Sequence, residues 1–165
     1  MSSITLPHFG TLDPNSLDGY YDTETVIAGN DVRVDLNFSE KTIPLSRLSA
    51  IKKYLDRLDY HLLKVKKYIY DNYHDEESEA GVRFYFNFHK DELGEDGLVE
   101  QLEINTIDEV DDQLLDKLQL VRIGFYPDSH DFAIFEYSFG EDLTNYIVVV
   151  STNEDADLNS VRVES

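Results

Sequence analysis

The chain has no cysteine in its 165 residues. That excludes disulfides, thiolate metal sites and cysteine nucleophiles, and folding needs no oxidising compartment. Long apolar runs are missing as well. The longest, Ile147 to Val150, is far too short to span a bilayer. Position 2 is Ser2, not glycine, and no C-terminal cysteine offers a lipid anchor. The glycine-bearing signatures Gly-x-x-x-x-Gly-Lys, Gly-x-Gly-x-x-Gly and Gly-x-Ser-x-Gly are absent, which argues against phosphate cradles and serine-hydrolase elbows. Met1 to Pro7 lacks a basic stretch followed by an apolar core, so the expected location is cytoplasmic. In that setting the sequon Asn37-Phe38-Ser39 carries no weight.

Bases are scarce. Fourteen Lys and Arg stand against 34 Asp and Glu, a net charge of −20. Such a field repels nucleic acid and anionic membranes and favours a basic protein partner. The charge is also uneven. Eight bases lie between Lys41 and Lys67 with only Asp56 and Asp59 among them, leaving six bases for the other 32 acids. Asp71 to Asp116 holds sixteen acids beside Arg83 and Lys90. Pairing of the basic stretch with the acidic segments is the simplest account of that asymmetry.

What the chain does have is 41% hydrophobic residues, with 11 Tyr and 9 Phe, enough for one core. The strongest pattern runs from Leu45 to His74. Leu48, Ile51, Leu55, Leu58, Leu62, Val65 and Ile69 recur in steps of three and four, uninterrupted by Gly or Pro. The spacing predicts one continuous amphipathic helix, about 45 Å long at ~30 residues. Arg47, Tyr54, His61 and Tyr68 widen its stripe into a face able to lie on a sheet.

Around that rod the chain reads as α+β, a single domain over residues 1–165. Residues 1–19 form an irregular arm that packs Ile4, Leu6 and Phe9. Tyr20–Ala28 and Asp31–Phe38 read as strands joined at Gly29-Asn30. Gly81–Leu93 is ambiguous: Phe84, Phe86 and Phe88 alternate as in a strand, whereas Val82, Tyr85, Phe86, His89 and Leu93 recur as in a helix. The helix, capped by Ser78 and ended by Gly94, is preferred. Glu92–Glu103 reads as loop, at least in part. Ile107–Leu118 reads as a short helix capped by Thr106. Gln119–Tyr126, Phe132–Phe139, Tyr146–Ser151 and Leu158–Val163 read as an antiparallel meander with an edge strand. The expected architecture is a mainly antiparallel sheet of five to six strands. One long helix and one or two shorter ones cover one face.

No catalytic residue, cofactor site or metal site stands out. The histidines, His8, His61, His74, His89 and His130, form no His-x-x-x-His or His-Glu-x-x-His pair. Asp108, Glu109, Asp111 and Asp112 lack a wrapping loop for calcium and suit a helix start. The candidate protein-binding residues are therefore exposed acids of the central segment: Asp75, Glu76, Glu77, Glu79, Asp91, Glu92, Glu95, Asp96, Asp108, Glu109, Asp111 and Asp112.

Three blocks, Val121 to Asp128, Ala133 to Phe139 and Ile147 to Val150, with Phe9 to Asp13 and Gly29 to Leu36, resemble a family of small bacterial proteins known only as a domain of unknown function. The resemblance implies a bacterial cytoplasmic protein and lends no catalytic residue. By analogy, small acidic α+β proteins of this type include immunity proteins that neutralise toxins. The leading expectation is a non-enzymatic acidic binding protein for a basic partner or toxin. The alternatives are a metal-assisted hydrolase built on His74, His89, His130 and carboxylates, and a structural subunit. The last would dimerise through the long helix or an edge strand.

Overall fold

A computed structural model describes residues 3–75, 77, 80–104, 110–140 and 142–165. The arm expected at the N-terminus contains a small hairpin, β1 (Ile4–Leu6) with β2 (Gly10–Leu12), in which Ile4 faces Leu12. Three-residue strands are too short to show a period. Leu6, Leu12 and Leu17 are buried, and Ile4 and Phe9 are partly buried.

β3 (Tyr20–Ile27) and β4 (Asn30–Asn37) form a second hairpin. Its turn is Ala28-Gly29, one residue earlier than expected, and both residues have positive φ (52° and 82°). A two-residue turn of this kind matches the twist of the strands it joins, and only one of its two positions is glycine.

The long apolar stripe is buried as expected, but on two helices. α1 (Leu45–Asp56) and α2 (Leu58–His74) are separated at Arg57, whose φ of −118° and ψ of 24° leave the helical region. The expectation of one continuous helix is corrected here. The phase survives the break: Leu48, Ile51, Leu55, Leu58, Val65 and Ile69 are all buried. A straight helix would set residues seven apart about 10.5 Å from each other along its axis. The rings of Tyr54 and His61 stand only 4.3 Å apart, so the bend closes over this pair. The Tyr54 ring lies on Phe125, Phe132 and Phe135, and its hydroxyl pairs with Thr152 Oγ1 at 2.8 Å. The chain folds about the point where it is best anchored to the sheet.

α3 (Val82–Leu93) settles the ambiguous segment as helix, with Val82, Tyr85, Phe86 and His89 buried. Gly94 (φ 71°) then ends it. α4 (Glu95–Gln101) replaces part of the expected loop, and Leu98 carries it into the core. α5 (Val110–Lys117) buries Leu114. The caps assigned to Ser78 and Thr106 lie outside the described residues.

β5 (Gln119–Phe125), β6 (Ala133–Ser138), β7 (Ile147–Thr152) and β8 (Leu158–Glu164) form the expected antiparallel meander. The sheet has six strands in the order β3-β4-β5-β6-β7-β8. Its one parallel junction joins β4 to β5, with Val34 beside Ile123 and Leu36 beside Phe125. The helical segment between them returns the chain in the same direction. Val32, Val34, Leu36, Ile123, Phe125, Phe135, Val148 and Val150 face the helices and form the core. Among the described residues no helix is long and apolar enough to cross a membrane.

The Ala28 turn makes the first prediction. A left-handed alanine costs about 1–2 kcal/mol, which asparagine largely avoids. Ala28→Asn is expected to stabilise the protein by about 0.5–1 kcal/mol, raising Tm by ~1–4 °C in a thermal melt.

Candidate functional site

The sheet has a second face, opposite the helices, and its residues follow from the register. One row crosses all six strands: Glu24, Arg33, Arg122, Glu136, Val149 and Arg162. The next row is Asp22, Asp35, Gly124, Ile134, Ser151 and Ser160. A β-bulge between Leu120 and Arg122 makes this arrangement possible. Val121 is the extra residue, so Leu120 and Ile123 both face the core while Arg122 turns to the open face. Re-aiming a side chain is what such a bulge does.

Arg122 organises the face. Its Nε and Nη2 donate to the two oxygens of Asp35 at 2.7 and 2.8 Å. Its Nη1 donates to Glu136 at 3.1 Å, and Nη2 donates also to the Tyr126 hydroxyl at 2.7 Å. Asn37 adds a 2.7 Å hydrogen bond to Asp35, whose side chain is fully buried. The guanidinium lies flat because Gly124 is beneath it: a Cβ there would stand 2.6 Å from Arg122 Nη2 and 3.0 Å from the Tyr126 ring. Burial alone would loosen the guanidinium's proton. The hydrogen bonds to Asp35 and Tyr126 and the Asp35 charge outweigh that, so Arg122 is a fixed cation.

Beside this network a cleft of about 410 Å³ is lined by Glu24, Asp31, Arg33, Val121, Arg122, Glu136 and Ile147. That is within the size range of ligand sites. Further clefts among the described residues include one of about 320 Å³ at the α1–α2 break and two more. One, of about 480 Å³, includes Asn37, Tyr126 and Asp128, where Ser39 Oγ donates to Asp128. The other, of about 330 Å³, lies between α2 and α5.

The acids singled out in the sequence sit elsewhere, on the helix layer. Asp75, Glu77, Asp91, Glu92, Asp96 and Asp112 are exposed. Asp75 and Glu77 precede α3, whereas Asp91 and Glu92 close it, a separation of about 18 Å along twelve residues. Among the described residues Asp91, Glu92 and Asp96 form one group close in the chain, and Asp75 and Glu77 another, the Glu77 N–H donating to Asp75 at 3.1 Å. Glu76, Glu79, Asp108 and Glu109 lie outside the described residues, as do the side chains of Glu95 and Asp111.

The histidines named for a hydrolase have separate surroundings. His74 is exposed against Tyr70 and Tyr73, and His130 is exposed in the β5–β6 turn. His89 is buried against Tyr85, Phe88 and Phe139. Among the described residues no three His, Cys, Asp or Glu side chains gather as a metal site. No family model, curated protein or solved structure matches the chain, so the likeness drawn from the strand blocks rests on those residues alone.

Two predictions follow from these groups. Replacing Arg122 by methionine removes both hydrogen bonds of the buried Asp35 to its main counter-ion and leaves only the more distant Arg33 at 3.8 Å, a loss of about 3 kcal/mol. Urea unfolding of Arg122→Met should show that loss, and adding Asp35→Leu should restore most of it. The second concerns His61 Nδ1 and His89 Nε2, which are buried without a partner among the described residues. Burial lowers both pKa values from the ordinary ~6.5, reinforced at His61 by Lys64 and Arg57 and opposed at His89 by Tyr85 and Glu92. The native state therefore prefers neutral rings. Their contribution is complete above about pH 6.5 and declines as pH falls below it, because the unfolded chain binds the proton first. Thermal melts from pH 8 to 5 should show a steeper decline in the native protein than in His61→Phe/His89→Phe.

Proposed function

We propose that this chain is a non-enzymatic acidic binding protein of the immunity type, which holds a basic protein or toxin by covering its cationic surface. The observation that carries this reading is the way the chain uses its few bases. Arg33, Arg47, Lys52, Lys64, Lys67, Arg122 and Arg162 are each within ion-pair distance of an acid of the same chain. Among the described residues the basic stretch meets acids of its own helices, Asp71 at the head of the acidic segment included, and the β7–β8 turn through Arg47–Glu154 and Lys64–Asp157. At least half of the fourteen bases are thus committed internally among the described residues, against 34 acids, and the surplus of acid is left to act on a partner. Polyanions are unfavourable partners for such a surface. The resemblance to small bacterial proteins fits this reading, with a cytoplasmic setting.

A second reading has one observation in its favour. Tyr60, Leu63 and Tyr70 form an exposed stripe along α2, with Leu63 69% accessible. Dimerisation through that stripe would make the chain a structural subunit, and sedimentation at high concentration separates the two readings.

The test of the leading reading is a salt titration against a panel of small basic proteins, a basic nuclease among them. Affinity should weaken about tenfold or more between 50 and 300 mM salt, mainly through slower association. Tight binding that ignores salt, or no binding of any of these proteins, overturns it.

A further inference from the structure

Charge on the open face is not balanced from side to side. Arg33 and Arg122 share Asp35, Arg122 also holds Glu136, and Arg162 holds Glu164. The acids left over are Asp22, Glu24 and Asp31, whose side chains make no hydrogen bond or ion pair among the described residues. All three belong to the β3–β4 hairpin.

β3 is also an edge, since no described strand pairs with its outer side. An exposed edge is normally guarded by proline, lysine, a bulge or short length. β3 is eight residues long, has no proline or lysine, and pairs with β4 without interruption. Its only guards are Asp22 and Glu24, alternating on the open face between the exposed Tyr20 and Val26. A second copy adding here antiparallel would set carboxylate against carboxylate, which is unfavourable. A strand with lysine or arginine at every second position would meet a counter-ion each time.

The cleft continues this edge inward. It starts at Glu24, one strand spacing of about 4.8 Å from any added strand. At its outer end Glu24 and Asp31 offer carboxylates to the charged head of a side chain from such a strand, whereas Glu136, three strands further in, is held by Arg122. The two arginines of the cleft are already turned to Asp35.

We propose that β3 is a docking edge for an extended basic segment of a partner protein. The segment joins the sheet as a seventh strand, sets lysine or arginine against Asp22 and Glu24, and places one such side chain at the outer end of the cleft, against Glu24 and Asp31. This rests on the acidic-binding reading above and names its contact surface. Main-chain hydrogen bonds hold the segment, and the alternating acids select its charge.

The probes are two acetylated decapeptides, one alternating lysine with valine and the other glutamate with valine. Each is titrated by fluorescence anisotropy against the full chain, Asp22→Lys/Glu24→Lys, and a control reversed at exposed acids of the helix layer outside the candidate set, Asp59→Lys/Glu100→Lys. The lysine peptide should bind the native chain and the control alike, and at least tenfold more weakly to the β3 variant. That variant should gain affinity for the glutamate peptide. Glu24→Gln, which keeps the side-chain shape, should show a smaller loss in the same direction. Amide exchange at Asp22, Glu24 and Val26, whose N–H groups point away from β4, should slow when the lysine peptide is bound. Equal weakening in the β3 variant and the control, or unchanged exchange in β3, overturns the docking edge while leaving an acidic binding protein. So does a basic protein that binds the native chain where the lysine peptide does not. A self-dimer abolished by Asp22→Lys/Glu24→Lys overturns it in favour of a second copy, and failure of every basic probe removes both readings.

Discussion

The sheet is assembled from two parts that meet along one parallel seam, and the Asp35–Arg122 pair spans that seam. On the core side Val34, Leu36, Ile123 and Phe125 close the junction with apolar surface. On the open side a carboxylate and a guanidinium, 87 positions apart, form two parallel hydrogen bonds. Burying both charges is costly, so the net worth of the pair against an apolar substitute is small. Its weight is in register. Sliding β4 by one residue would turn Asp35 into a layer of phenylalanines and carry Val34 and Leu36 out of it. One register keeps the acid hydrated or paired and the apolar residues covered.

The helix layer depends on that assembled surface. Tyr54 rests on Phe125, Phe132 and Phe135, side chains supplied by β5, β6 and the turn between them. Tyr68 donates to the Ala156 carbonyl beyond β7, and Tyr85 donates to Tyr146 just before it. Tyrosine suits such positions because its ring fills the core while its hydroxyl satisfies backbone at the margin. With the helices all held on one side, the opposite side keeps its charged rows accessible.

Features set by local repetition were legible in the sequence. The stripe of α1 and α2, the β3–β4 hairpin and the meander all repeat faster than the fold can disturb them. The break at Arg57 was not legible, because a helix stripe records which way residues face and not whether the axis bends. That bend depends on Tyr54 meeting the far end of the chain. α4 was obscured by Gly94 and Asp96-Gly97, ordinary loop signals overridden by the burial of Leu98. Asp35 looked like one more outward polar residue of an alternating strand, and its partner was too distant to see. One trace of the bulge was present: Leu120 and Ile123 are three apart in a strand where even spacing is the rule. The exposure of Asp75, Glu77, Asp91, Glu92, Asp96 and Asp112 was likewise readable from composition. Their distribution to opposite ends of α3 required the fold.

The seam also sets the order of events on the ribosome. At roughly 5–20 residues per second, Asp35 is synthesised some 4–17 s before Arg122. For that interval the nascent hairpin has two bare edges, one temporary and one lasting. Asp22, Glu24, Asp31 and the still unpartnered Asp35 then form a dense anionic patch on a two-stranded ribbon. Neighbouring nascent chains of the same protein carry the same patch and are repelled. Acids that end as part of a clamp or an open margin first serve as protection against premature pairing.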